Sequence, residues 1–155
     1  MKIRIELDEN VREPEIVLRC ARLDGEAARA QAAIVDALNR DRRLALVRDG
    51  RDYYLPADDM LFFEAVDGKT WAHTAQHIYE IRLRLCELGN ILPPSFTRIG
   101  KSAIVNTRRI LSITHNLAGP SLVRFRGSVK RINVSRGYYK SLVNKLSERS
   151  FYESK

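Results

Sequence analysis

The chain opens on strict alternation. Ile3, Ile5 and Leu7 interleave with Lys2, Arg4 and Glu6, a period of two that predicts a strand with one buried face. Glu15 to Cys20 reads as a second strand. Leu23-Asp24-Gly25 breaks the pattern, with Asp24 placed to cap a helix beginning just after it. From Glu26 to Asn39 the period becomes helical: Ala27, Ala30, Ile34 and Leu38 share a face in an alanine-rich stretch. Beyond residue 43 the apolar runs are short and β-like: Leu44–Val47, Tyr53–Leu55, Met60–Val66 and Thr70–Tyr79. Asp49-Gly50 and Asp67-Gly68 are hairpin-turn signals between them. Residues 81–88 fit a short helix ended by Gly89. Strands are expected at 96–105, 109–114, 121–126 and 129–134. Ser135 then caps a helix whose stripe is Tyr139, Leu142, Val143 and Leu146, to about Ser147.

The expected organisation is a ββα extension over residues 1–42, a mostly β domain over 43–147 and a frayed tail over 148–155. The fold class is mostly β, α+β overall. The extension packs on the domain or forms a homodimer, with Ile34, Val35 and Leu38 as natural contacts. Cys20 and Cys86 sit among apolar residues and read as two reduced, buried thiols of a cytoplasmic protein. No apolar run approaches the length of a membrane span, and the charged start lacks the core of a signal peptide.

Charge changes this picture most. The 155 residues carry a formal +8, very unevenly spread. Residues 1–95 hold 14 basic and 17 acidic side chains, whereas residues 96–155 hold 13 and 2. From Leu88 to Ser147 there is no Asp or Glu at all, against eleven Lys and Arg. Such a field raises self-repulsion and favours a polyanionic partner, of which nucleic acid is the commonest.

Enzymatic chemistry finds little support. Gly100-Lys101-Ser102 resembles the end of a phosphate-binding loop, but Ser95 stands where the first glycine belongs. His73 and His77 are four apart, but Thr74 replaces the glutamate of a zinc helix and the local pattern is strand-like, so no metal is expected. Asp58-Asp59 reads as a solvated turn. No cofactor motif is present. In the basic half, by contrast, cations interleave with β-type apolar residues. Arg98, Lys101 and Ser102 crowd one turn, Asn106 to Arg109 another, and Arg124 and Arg126 share one strand face close to Lys130, Arg131 and Arg136. These residue types contact phosphates and base edges.

Three segments carry a family resemblance. Tyr54-Leu-Pro-Ala-Asp-Asp-Met-Leu-Phe-Phe-Glu-Ala65 resembles the opening strand of LytTR-type DNA-binding domains. Leu92-Pro-Pro-Ser-Phe-Thr-Arg-Ile-Gly-Lys-Ser-Ala-Ile-Val-Asn106 is similar to their "Phe-x-Arg…Ser-x-Ile-Val-Asn" signature. Ile132-Asn-Val-Ser-Arg-Gly-Tyr138 resembles their closing strand-to-helix junction. The resemblance implies an elongated antiparallel β fold of small sheets with a C-terminal helix. It implies a bacterial transcription regulator whose loops enter successive major grooves of duplex DNA. The implied contact loops hold Lys69 and Thr70, Lys101 and Ser102, and Arg136. Phosphate contacts are expected from Arg108, Arg109, Arg124, Arg126, Lys130 and Arg131, with Arg98 either a contact or structural. Residues 1–42 are too few for the receiver domain of many members, which points to a compact stand-alone regulator; such members are often linked to membrane proteins. The rival expectation is a module for RNA or an anionic membrane surface. Phe125 would be its stacking aromatic, or Lys140, Lys145, Tyr139 and Leu142 its membrane-facing helix.

Overall fold

In the computed structural model the described residues are 2–39 and 42–153, with side chains as far as Ser147. Their elements, in order, are α1 (Gly25–Asn39), β1 (Arg43–Arg48), β2 (Arg51–Pro56), β3 (Phe62–Val66), β4 (Lys69–His73), β5 (Ile78–Ile81) and α2 (Leu85–Ile91). Next come β6 (Phe96–Gly100), β7 (Ala103–Asn106), β8 (Ile110–Thr114), β9 (Ser121–Phe125), β10 (Arg131–Val134) and α3 (Arg136–Glu153). Two antiparallel sheets result, one of seven strands in the order β2-β1-β5-β4-β3-β7-β6 and one of three in the order β10-β9-β8.

The two Asp-Gly signals mark real hairpins. Asp49 and Gly50 have φ of 50° and 71°, Asp67 and Gly68 of 51° and 76°. Two successive positive φ values define the turn whose twist matches a right-handed hairpin, and glycine takes the second position without strain. These turns set the register: Arg48 faces Arg51 and Val66 faces Lys69.

The β3, β6 and β7 part of the large sheet is covered on both faces, whereas β1 keeps one face exposed. Leu44, Leu46, Met60, Phe63, Ala72, Tyr79, Phe96 and Ile104 form one core, closed by Leu85 and Leu88 of α2. Leu61, Phe62, Ile99, Val105, Val123, Phe125 and Val134 form a second, between the two sheets, closed by Leu142 of α3. The neighbours Phe62 and Phe63 thus serve opposite cores, and all four residues of β7 are buried. Clean alternation fails in a strand covered on both faces.

Several expectations need correction. Residues 2–24 contain no strand; Ile3, Ile5 and Leu7 are exposed to 93%, 84% and 96%. The alternation is there, but a strand needs a neighbour to satisfy its amide groups and cover its apolar face, and no described strand lies alongside. Of the ββα unit only the helix forms, and Asp24 caps it, accepting from the Ala27 amide at 3.0 Å. The helix expected at 81–88 starts later, at Leu85, because Ile81 is held in β5 opposite Thr70. Gly89 lies inside it rather than at its end. The helix after Ser135 runs to Glu153, so the backbone of the tail expected to fray is helical that far; residues 154 and 155 lie outside the described residues. Cys20 and Cys86 are unbridged as expected, but both are exposed.

Candidate nucleic-acid interface

The turn between β6 and β7 is built from a register fault. Arg98 faces Ile104 and Gly100 faces Ala103, so Ile99 is a bulge. Its side chain is fully buried, while its carbonyl accepts the Ser135 amide at 2.9 Å. Gly100 lies so close to Ser135 that a Cβ there would sit 3.0 Å from the Ser135 hydroxyl. The Arg98 Nη1 donates to the Lys101 carbonyl at 2.7 Å. The Ser102 carbonyl accepts the Ala65 amide at 2.8 Å, which ties the turn to the strand leading into Asp67-Gly68. The sheet thereby brings three of the expected contact segments to one end: the Asp67–Lys69 turn, Lys101-Ser102, and Ser135-Arg136 at the start of α3. The side chains of Lys101, Ser102 and Arg136 are exposed.

The three-stranded sheet adds a second cationic feature. Arg124 of β9 and Arg131 of β10 are direct cross-strand partners, both exposed. Like charges in that position repel, so the pair weakens the sheet it sits on. Arg131 and Asn133 lie on the same outward face and line one groove with Ser102, Leu122 and Glu64, so the groove joins the two sheets. Asn133 was not expected; its two-residue spacing from Arg131 on a strand was the available signal. Among the described residues no acidic side chain forms an ion pair with Lys101, Arg124, Arg126, Arg131 or Arg136.

The remaining expected contacts are engaged within the protein. Arg108 Nη1 lies 2.6 Å from Asp36 Oδ2 on α1, and its Nε lies 3.4 Å from Asp58 Oδ1. Arg109 donates through Nε to the Asp58 carbonyl at 2.8 Å, and its Nη2 approaches both Asp58 and Asp59. Asp58-Asp59 is therefore the counter-charge of this turn: Asp58 is half-buried, against the expectation of a solvated turn, while Asp59 is exposed as expected. Asn106 and Thr107 are buried; Asn106 donates to the Met60 carbonyl at 2.9 Å and Thr107 to the Ser95 carbonyl at 2.7 Å. The Asn106–Arg109 turn thus faces inward, fastening α1 and β7. Thr70 is buried opposite Ile81. Lys69, half exposed, sits 3.7 Å from Glu80 and over the Trp71 ring.

Lys130 donates its Nζ to the His77 carbonyl at 2.7 Å. Burial pushes its pKa down, against the pull of Glu64. Nearby, His73 is buried, stacked on Phe62, with Nε2 2.8 Å from Glu64 Oε1. Its Nδ1 is buried without a partner. A neutral ring donating from Nε2 leaves only a lone pair unsatisfied there, whereas an imidazolium would bury an orphan N–H. Burial above all, with Lys130 helping, accordingly holds the His73 pKa below its usual value, although Glu64 pulls it up. This histidine is a core residue.

The rival partners lose their anchors. Phe125 is 1% exposed, so no base can stack on it. Leu142 is also 1% exposed, because the apolar stripe of α3 faces the second core. His115 stacks on Tyr139, with ring centroids 4.0 Å apart, and fixes the β8–β9 loop to the same helix.

A family model described as LytTr DNA-binding domain matches residues 50–147. An uncharacterized HTH-type transcriptional regulator of Staphylococcus aureus (strain NCTC 8325 / PS 47) is 27% identical over 148 residues, which is 95% of this chain and 99% of that protein. A second protein of that description, from Staphylococcus aureus (strain MW2), is 30% identical over 114 residues, 73% of this chain and 76% of the relative. Among solved structures, a LytTr DNA-binding domain from Bacillus cereus shares the fold, with a TM-score of 0.60 at 24% identity over 66% of this chain and 96% of that one. The alignment of the first relative over nearly its whole length takes in the segment ahead of the β domain. The residues matched by the family model, 50–147, include the β6–β7 turn, Arg124, Arg131 and the Ser135-Arg136 junction.

Proposed function

We propose that this chain, which belongs to the LytTr DNA-binding domain family, regulates transcription by reading duplex DNA with its turns rather than with a helix. One observation carries this reading: the hydrogen bond from the Ser135 amide to the Ile99 carbonyl, which joins the Lys101-Ser102 turn to Arg136, and among the described residues neither Lys101 nor Arg136 forms an ion pair with an acidic side chain. Lys101 and Arg136 supply the contacts to base edges, where a well-placed pair to guanine contributes on the order of 1–3 kcal/mol of discrimination. Arg124 and Arg131 supply phosphate contacts, with Arg126 beside them, adding affinity and salt dependence without sequence information. Lys69 reaches the same edge once it leaves Glu80. Arg108, Arg109 and Lys130 hold the protein together instead, and Thr70 supports its strand.

The apolar side chains of the extension, among them Ile3, Ile5, Leu7, Val35 and Leu38, are exposed in the single chain. That exposure supports reading residues 1–42 as the dimerisation element of a cytoplasmic regulator. A sedimentation profile that stays monomeric at micromolar concentration would remove the dimer from this account.

Selection of bound duplexes from a randomised pool tests the DNA reading. It is expected to enrich a defined motif, and Arg136→Ala is expected to lose at least about fivefold affinity for that motif while keeping its thermal transition. A pool that fails to enrich, or an Arg136→Ala protein that binds as before, contradicts it.

A further inference from the structure

Arg98 lies in the acid-free half of the chain and is easily taken for one more phosphate ligand. Its geometry says otherwise. The side chain turns back along its own hairpin, and Nη1 donates to the Lys101 carbonyl at 2.7 Å. A charged donor on a neutral acceptor is among the stronger hydrogen bonds a turn can have. The acceptor belongs to the residue whose side chain must point at the DNA. One residue further on, the Ile99 bulge frees a carbonyl that takes the Ser135 amide at 2.9 Å. The chain direction of β6 therefore fixes two things in succession: the backbone of the Lys101 turn through Arg98, and the start of the Arg136 helix through Ile99.

We infer that Arg98 is a positioning residue for sequence readout: it orders the Lys101-Ser102 turn against the bulge, so that Lys101 and Arg136 meet the duplex at a fixed spacing. This rests on the DNA reading above. A flexible turn could still attract phosphate, because charge acts at a distance and tolerates disorder. Discrimination between bases needs donors held in place before contact, since ordering them on binding costs free energy. Losing Arg98 therefore damages specificity more than it damages non-specific affinity.

The test compares Arg98→Gln and Arg98→Lys with Lys101→Gln on the duplex selected by the unmodified protein and on a scrambled duplex, across a salt series. Arg98→Gln is expected to lower the selected-to-scrambled affinity ratio by roughly fivefold to tenfold, the low end of what one good base contact supplies, and to add nothing in a Lys101→Gln background. Its salt dependence stays that of the unmodified protein. A phosphate ligand behaves in the opposite way: the ratio is unchanged and the log–log salt slope falls by about 0.9. That result overturns the inference, as does an Arg98→Gln protein indistinguishable from the unmodified one. Should Arg98→Gln not fold, Arg98→Lys decides. It keeps the charge but replaces the fork by a single flexible donor, so a reduced ratio at unchanged slope supports positioning and an unchanged ratio refutes it. Absence of any selected duplex would instead count against the DNA reading itself, before Arg98 enters.

Discussion

The facing arginines of the small sheet should harm the free protein and help the complex. Arg124 and Arg131 are cross-strand partners, with Cβ atoms about 5 Å apart and guanidinium groups that can splay to about 7 Å. At that distance two unit charges in water repel by about 0.6 kcal/mol, and a Debye length of about 8 Å at physiological salt reduces this to about 0.25 kcal/mol. Arg124→Thr keeps a β-favouring residue and removes the repulsion. Its melting temperature is expected to rise by about 1–2 °C in 10 mM salt, where screening is weak, and to match the unmodified protein in 1 M salt. Arg131→Thr should do the same, and the double variant should gain no more than either single one, because one repulsion is removed only once. DNA binding should move the other way, each substitution lowering the salt slope by about 0.9. Calorimetric melts across a salt series and fluorescence-anisotropy titrations read both quantities. Substitutions that lower the melting temperature while leaving the slope intact would show that the pair neither repels nor meets phosphate.

Three further expectations concern stability and the turns. Arg108→Ala should cost about 1.5–3 kcal/mol in chemical denaturation, the range for hydrogen bonds to charged groups, since it severs the tie to Asp36; a fall of about 0.9 in the salt slope instead would mark it as a DNA ligand after all. His73 has a folded-state pKa below its ordinary 6.5, so between those values the unfolded chain binds more protons. Its contribution to stability is intact above pH 6.5 and is lost progressively below it; urea midpoints should fall with acidification, and a His73→Gln protein whose midpoints fall just as steeply would argue against this assignment. Gly50→Ala and Gly68→Ala each force a side chain into positive φ and should cost about 1 kcal/mol. Only Gly68→Ala, on the turn at the end of the sheet that carries Lys101, should also weaken DNA binding; equal effects of the two on binding would contradict the placement of that end.

Much of the β domain is legible along the chain because its determinants are local. Asp49-Gly50 and Asp67-Gly68 specify their turns within two residues, and the short apolar runs between them become strands. The failures are failures of partnership. Residues 2–7 have the pattern of a strand, but a pattern cannot supply the neighbour that completes a ladder. Ile81 fits a helix stripe and β5 equally well, and the pairing with Thr70, eleven residues back, decides it. The proposed contact residues divide in the same way. The density of Lys and Arg marks the basic half, but density does not say which cations are already engaged. Arg108 is neutralised by Asp36, 72 residues away in sequence, and Lys130 is held by a carbonyl 53 residues away. Arg124 and Arg131 stand out only when the register of the sheet is known.

Dimethyl sulfate probing of guanine N7 on the selected duplex tests whether the turns enter the major groove, since that atom lies open there. Clusters of protected N7 atoms are expected on one face of the DNA, with one cluster regaining full reactivity in the Arg136→Ala complex. Reactivity of every guanine unchanged by saturating protein, or a protection pattern that Arg136→Ala leaves intact, would contradict that entry.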